Sequence, residues 1–400
     1  MSRRFELALA MLALVFSACA FGASSTSEVA AGAVTVPMQV ELNRPYIDVA
    51  LIGPTGRHVT AHAYVDTGGG ALILAAGLAQ RLGLQAQGAP LHEEGQTLQP
   101  TVVPSLRIGG KPVDLVDARA LIASDDPHAL HHTDAELALP GRYLRHYIVV
   151  FDYPARTFTL ANPKALQPDG VAVRASVGGA GMPVVWASVA GKSYGFLMDT
   201  GGQYCMISQA KLDAWSQHHP QWESVSGAYG PANMLLGQSE AKLRMLRLAS
   251  MQWGPFHIED AGAVSRRAGT YEKWMSNMLG APVIGSIAGN VLDHFKVTLD
   301  YPAGKVYLAG PAKVRDAPID MVGVMLEPAA QGGYEVAGTI GTKDIEVGDR
   351  LLKADGHDIA QLPFWRIAEL LGGTPGTTHA LTLQRGPESL RVHATVRPIL

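Results

Sequence analysis

Ala63-Tyr64-Val65-Asp66-Thr67-Gly68-Gly69, followed by Leu72-Ile73-Leu74, has a second version in the same chain. It reads Phe196-Leu197-Met198-Asp199-Thr200-Gly201-Gly202, followed by Met206-Ile207. In each, apolar residues lead into an aspartate, a threonine and two glycines. A short helix-like stretch comes next, with Leu78 and Leu82 in the first and Leu212 and Trp215 in the second. One Asp-Thr-Gly alone is a turn, because aspartate and glycine are turn formers. Two in matching surroundings mark an internal repeat.

Working outward, a second pair of segments agrees more closely. His146-Tyr147-Ile148-Val149-Val150-Phe151-Asp152-Tyr153-Pro154-Ala155 matches His294-Phe295-Lys296-Val297-Thr298-Leu299-Asp300-Tyr301-Pro302-Ala303. Two matched blocks in one order define a duplicated unit, about 35–165 and 170–312. The spacing between blocks is 15 residues longer in the second copy (Asp199 to Asp300) than in the first (Asp66 to Asp152), so the second carries insertions. Val59, Ala61, Ala63 and Val65 alternate at period two, which predicts a strand running into Asp66. The predicted fold is mainly β, with two packed lobes and a cleft between them. Asp152 and Asp300 read as turn residues, since Pro follows Tyr in each block.

Two carboxylates facing each other across a two-fold cannot both ionise easily, so one pKa rises and the other falls. The ionised member can take a proton from water, and the protonated one can polarise a carbonyl. Glycine lets the chain turn sharply behind each carboxylate. Thr67 and Thr200 can hydrogen-bond across the two-fold and hold the loops together.

These motifs resemble the pepsin and retropepsin superfamily, bacterial retropepsin-like proteins especially, whose aspartate pair is the familiar instance of this electrostatics. The resemblance covers both lobes. It implies a bilobal acid-protease fold that hydrolyses peptide bonds of peptide or protein substrates with Asp66 and Asp199. Thr67, Gly68, Thr200 and Gly201 would support them, and no metal or other cofactor is implied. In that family an apolar-apolar-Gly element crosses near each active loop. Val283-Ile284-Gly285 resembles it well and Leu139-Pro140-Gly141 less so. Two departures stand out. Gly69 and Gly202 occupy positions where Ser, Thr or Ala is usual. The flap that closes over substrate is not clearly marked, and Gly227-Ala228-Tyr229-Gly230, with Tyr229 at its centre, is the candidate. The rival reading is a catalytically inactive peptide-binding or assembly protein on the same fold.

The pattern changes near residue 317. Gly348-Asp349-Arg350-Leu351-Leu352-Lys353-Ala354-Asp355-Gly356, an amphipathic helix over Leu362–Leu371, and a hairpin from Leu381 to Val396 resemble a small α+β PDZ-like domain at 317–400. The resemblance implies an extended peptide, often gripped at its C-terminal carboxylate, with Val322-Gly323-Val324 as the candidate loop. A packing domain with a filled groove is the alternative.

The chain has 400 residues, 47% apolar and 17% charged, enough for a sizeable core. Its net charge of −3 argues against nucleic-acid partners. Arg3 and Arg4 precede an apolar run over Leu7–Ala18, and Ala18-Cys19-Ala20 supplies a cleavage pattern, so 1–20 reads as a signal peptide. A periplasmic or secreted location follows, with membrane attachment only if Cys19 is lipidated. Cys205 is the one other cysteine and reads as a buried thiol. His128, His131, His132 and Asp134 read as a solvated loop rather than a metal site, because their spacing matches no firm ligand motif.

Overall fold

The two Asp-Tyr-Pro-Ala blocks lie side by side. In the computed structural model, which describes residues 32–93, 96–123, 130 and 135–400, strand Ile148–Asp152 pairs antiparallel with strand Lys296–Asp300. Ile148 stands opposite Asp300 and Asp152 opposite Lys296. The copies therefore meet about a local two-fold axis, the self-complementary way in which identical surfaces join. The Asp152 and Asp300 carboxylates each accept a backbone N–H three residues on, from Ala155 at 3.0 Å and Ala303 at 3.1 Å. Both are turn residues. The returning strands Thr157–Ala161 and Lys305–Ala309 flank the pair, and Ala33–Pro37 and Val171–Val173 complete a six-stranded sheet shared by both halves.

Beyond that sheet each half repeats one plan. Strand His58–Asp66 runs into the first aspartate, with Leu137–Pro140 parallel beside it and Pro140 opposite Asp66. Strand Lys192–Asp199 runs into the second, with Gly285–Ala288 parallel beside it and Ala288 opposite Asp199. Leu72–Leu74 and Cys205–Ser208 take equivalent places across the crossing strands. The chain is thus mainly β and bilobal, as its repeat predicts.

One register needs correction. The crossing element expected at Val283-Ile284-Gly285 is Ile287-Ala288-Gly289, since Ala288 is the residue level with Asp199. Its counterpart in the first lobe is Leu139-Pro140-Gly141, as expected. Both second-lobe triplets satisfy the sequence pattern, and strand register alone separates them.

Burial accounts for the apolar approach to each aspartate. Ala61, Ala63 and Val65 face the main core, while Tyr64 is buried on the other face with Tyr46 and Ala138. From Gly195 to Asp199 every residue is buried. Phe196 and Met198 enter the main core, and Leu197 joins a separate cluster with Met206, Tyr271 and Met275. A strand covered on both faces reads as a near-continuous apolar run and holds the loop at its end firmly.

Lys313–Arg315 still pairs with Phe256–Arg266, so the second lobe extends past residue 312. A smaller unit follows. Its sheet runs in the order Val324–Pro328, Tyr334–Thr339, Arg350–Ala354, Thr378–Arg385, Glu388–Thr395, with helix Phe364–Leu371 beside it. The helix buries Phe364, Ile367, Ala368 and Leu371, while Leu370 is half-buried against the same core. Asp349 of the Gly-Asp motif is 1% exposed and takes two 2.8 Å bonds from Arg385.

Val322 and Val324 are buried. The Val322 N–H donates to Leu371 O at 2.9 Å, and Gly323 O accepts from Ile340 N–H at 2.8 Å. A ligand carboxylate at Val322-Gly323-Val324 would meet an amide already engaged in the fold. The proposed signal segment, Cys19, His128, His131, His132 and Asp134 lie outside the described residues. Among the described residues no helix is long and apolar enough to cross a membrane, and no cluster of His, Cys, Asp or Glu could hold a metal ion.

Candidate active site

The two Asp-Thr-Gly loops meet face to face, braced by their threonines. Thr67 N–H donates to Thr200 Oγ1 at 3.0 Å, and Thr200 N–H donates to Thr67 Oγ1 at 3.0 Å. Each hydroxyl then donates across the axis, Thr67 to Met198 O and Thr200 to Val65 O, both at 2.6 Å. Both threonines are fully buried. Every donor in this four-bond knot has an acceptor from the opposite lobe, so the lobes are locked at the point where the aspartates emerge.

The Asp66 and Asp199 carboxyls stand together, each loop passing against the opposite carboxylate, and each acts on the other's proton affinity. Gly68 N–H donates to Asp66 Oδ1 at 2.8 Å. Asp199 Oδ1 accepts two such bonds, from Gly201 N–H at 3.1 Å and Gly202 N–H at 3.2 Å. Asp199 is 8% exposed and Asp66 somewhat more, so the pair touches solvent at its edge. Burial is the largest force raising the Asp66 pKa, and the Asp199 charge adds to it, so Asp66 is pushed up to about 7. Burial raises Asp199 as well, but the Asp66 hydrogen bond, Arg44 and the two glycine amides all act against that rise. Burial and mutual repulsion thus favour a single proton held between the two carboxyls, and the titration belongs to the pair.

The glycines are dictated by space. A Cβ on Gly201 would stand 2.4 Å from Asp66 Cγ, and one on Gly68 would stand 2.7 Å from Asp199 Oδ1. Only glycine lets each loop pass the opposite carboxylate. The unusual Gly69 has a similar cause, since a Cβ there would lie 2.8 Å from Asp66 Oδ2.

Arg44 is the residue that sequence reasoning missed. It is fully buried, and its Nε donates to Gly201 O at 2.6 Å. It belongs to the first lobe and reaches the active loop of the second. Its neighbour Asn43 does the same, donating to Gln203 O at 3.1 Å. The one signal was an arginine at the head of an apolar strand, Arg44–Ile52. Replacing Arg44→Met removes a buried cation that lowers both carboxyl pKa values. Any pH profile of hydrolysis then moves to higher pH by about one unit. Measuring kcat/KM against pH for both proteins checks this, and an unmoved or downward-moving upper limb refutes it.

Tyr229 is not over the aspartates. It is 3% exposed and belongs to the apolar cluster that joins the second lobe to Met321, Met325 and Phe364 of the C-terminal unit. A hairpin in the first lobe, Leu91–Glu93 with Gln96–Thr101, lies nearer the Asp66 loop. Its Leu91 and Leu98 pack with Ala71, just after the Asp66 loop. A cavity of about 510 Å³, lined by Trp222, Arg247, Asp316 and Leu400 among others, contains no residue of either aspartate loop.

No protein family model and no curated protein sequence matches the chain. Among solved structures it is similar to an aspartic proteinase from Irpex lacteus, at 11% identity and a TM-score of 0.42. The match covers 70% of this chain and 97% of that one. At so distant a likeness, the chemistry must be argued from the aspartate pair itself.

Proposed function

We propose that this chain is an aspartic-type endopeptidase. One observation carries the reading: two largely enclosed carboxyls, each acting on the other, on loops that the Thr67–Thr200 knot holds in register. Asp199, ionised and held by two amides, takes a proton from a water bound between the pair. The oxygen of that water attacks the peptide carbonyl carbon. Asp66 gives its proton to the carbonyl oxygen, and a tetrahedral diol forms. The proton now on Asp199 passes to the amide nitrogen as the C–N bond breaks, and the diol returns a proton to the pair. Protons balance, and no covalent intermediate arises. The apolar wall of Leu197, Met206 and Tyr271 keeps water from weakening these charges. The arginine behind the loops, Arg44, limits how far burial raises the pair.

The reading includes export, supported by Arg3, Arg4 and the Leu7–Ala18 run, with Cys19 as the lipidation alternative. It also takes the last unit as PDZ-like, supported by the buried Asp349 of its Gly-Asp motif and by the order of strands and helix. Purified protein mixed with a random peptide library and followed by mass spectrometry tests the activity. Internal cleavage that stops with a hydroxyl-bearing peptide isostere is the expected result. No cleavage from about pH 3 to about pH 8 defeats the reading and favours the inactive binding protein.

The pH profile is a separate expectation. Hydrolysis needs one proton on the pair. Below the lower macroscopic pKa no base remains, and above the upper one no acid remains. Asp66 at about 7 sets the upper limb near neutrality. Activity is therefore bell-shaped, falling as pH rises through about 7. A profile still rising beyond that point would exclude the shared proton.

A further inference from the structure

The C-terminal unit ends its sheet in an edge strand, Val324–Pro328, and the space against that edge is already filled. Its occupant is a second-lobe segment that leaves strand Ser224–Ser226. The turn Gly230–Ala232 lies against helix Phe364–Leu371. The turn Gly237–Lys242 lies against the edge strand and its neighbour Tyr334–Thr339. Ala228, Tyr229, Ala232, Asn233 and Leu235 are all at most 5% exposed. Asn233 makes the polar contact. Its Nδ2 donates to Leu326 O on the edge strand at 2.6 Å, while its Oδ1 accepts from Leu235 N–H at 2.7 Å. The Glu327 carboxylate of the same strand accepts from Gln238 N–H.

Small residues let the segment sit this close. A Cβ on Gly230 would stand 2.8 Å from Met321 Sδ, and one on Gly227 would stand 3.0 Å from Met325 Cε. Glu240, 1% exposed, ties the segment to itself by accepting from Met234 N–H at 3.1 Å. No ligand carboxylate takes part. The edge strand is read by a side-chain amide in the middle of a chain.

We propose that the surface between the edge strand and the helix is a peptide-binding site held in cis by the chain's own Gly227–Leu236. In trans it takes an internal, neutral peptide stretch of the same chemistry. That chemistry is an aromatic anchor between small residues, then a side-chain amide. The occupant itself has this form, Gly227-Ala228-Tyr229-Gly230-Pro231-Ala232-Asn233, and carries no charge. Tyrosine is a common anchor because its ring buries much area while losing few rotamers. The site stands on contacts apart from the aspartates, so it holds whether or not they hydrolyse peptides.

A reversible lock tests it. A Cβ built on Gly338 lies 3.4 Å from Ala241 Cβ, close to disulfide spacing. Ala241→Cys with Gly338→Cys, in the full chain, pins the segment when oxidised and frees it when reduced. The probe is a labelled synthetic peptide of residues 225–236 with an amidated C-terminus, and binding is read by fluorescence anisotropy. Reduced protein is expected to bind it at least about tenfold tighter than the same sample oxidised. Asn233→Ala, which gives up the bond to the edge strand, is expected to bind about tenfold tighter than the parent. Exchanging the probe's tyrosine for alanine should cost about tenfold or more. Its acid and amide forms should bind alike. Equal binding in both redox states, binding only of the acid form, or no binding by either the reduced pair or Asn233→Ala overturns the proposal.

Discussion

On the proposed peptidase reading, Asp66→Asn and Asp199→Asn are each expected to lower kcat/KM by about ten-thousandfold, and each is expected to melt higher than the parent at neutral pH. Loss of activity follows from the division of labour. An amide at position 199 cannot take the proton from water, and an amide at position 66 has no labile proton to give the carbonyl oxygen. Neither carboxyl can do both tasks, because the reaction needs an acid and a base at the same moment. The gain in stability follows from the raised pKa. Asp66 moves from an ordinary 3.8 to about 7 in the fold, so its ionised form is the costly one there. By linkage the folded state binds more protons than the unfolded one across that interval, and stability falls as pH rises through it. Asparagine removes the cost, on the order of 2–4 kcal/mol at slightly alkaline pH. Below about pH 4 both states bind the proton and the gain vanishes. Urea melts at acid and at alkaline pH, with peptide-cleavage assays alongside, check both halves. Wild-type activity in either variant would rule out the one-pair mechanism. A melting gain that persists undiminished in acid would rule out the electrostatic account.

Thr67→Val and Thr200→Val are the second large effect, and here stability falls. Valine keeps the shape and deletes the hydroxyl. In Thr67→Val, Thr200 N–H and Met198 O each lose their partner, and both are buried. A buried polar group left without a bond costs about 1–3 kcal/mol, so each substitution should cost roughly 2–5 kcal/mol. That is a large share of an ordinary domain's stability. Hydrolysis should fall as well, by about a hundredfold, because the knot sets the spacing of the aspartates and small displacements at a reacting centre are expensive. The double variant should cost less than the sum of the two, since the four bonds form one network. Urea denaturation and kcat/KM on the same preparations decide it. A valine variant as stable and as active as the parent would show that the lobes are aligned by the shared sheet alone.

Much of this was legible in the chain. The repeat of Asp-Thr-Gly-Gly and of the Asp-Tyr-Pro-Ala block predicted two lobes, and the same blocks turn out to meet their own copies. Ile148–Asp152 lies against Lys296–Asp300, and Thr67 against Thr200. A contact between equivalent residues leaves its trace twice in the sequence, so matching the copies finds it. Alternation before Asp66 predicted the strand, because a period of two follows from the pleat.

The mismatches are of another kind. Val283-Ile284-Gly285 and Ile287-Ala288-Gly289 both fit the crossing pattern, and composition cannot choose between them. Hydrogen-bond register does, by setting Ala288 level with Asp199. Tyr229 was the flap candidate, yet the glycines beside it serve close packing against Met321 and Met325. At Val322-Gly323-Val324, the candidate ligand loop, the Val322 amide is already spent on Leu371 O of the same unit, a contact the motif alone does not reveal.

By itself, then, the sequence determined what duplication repeats: two lobes, two aspartates, two threonines to brace them and the strands that deliver them. Only the tertiary structure decided what breaks that symmetry. Arg44 grips Gly201 from the other lobe, and the Gly227–Leu236 segment fills the C-terminal unit's open edge. The physical reason is that such a contact joins residues far apart in sequence and unlike one another. It leaves no second copy to compare, and it exists only once two finished surfaces have met.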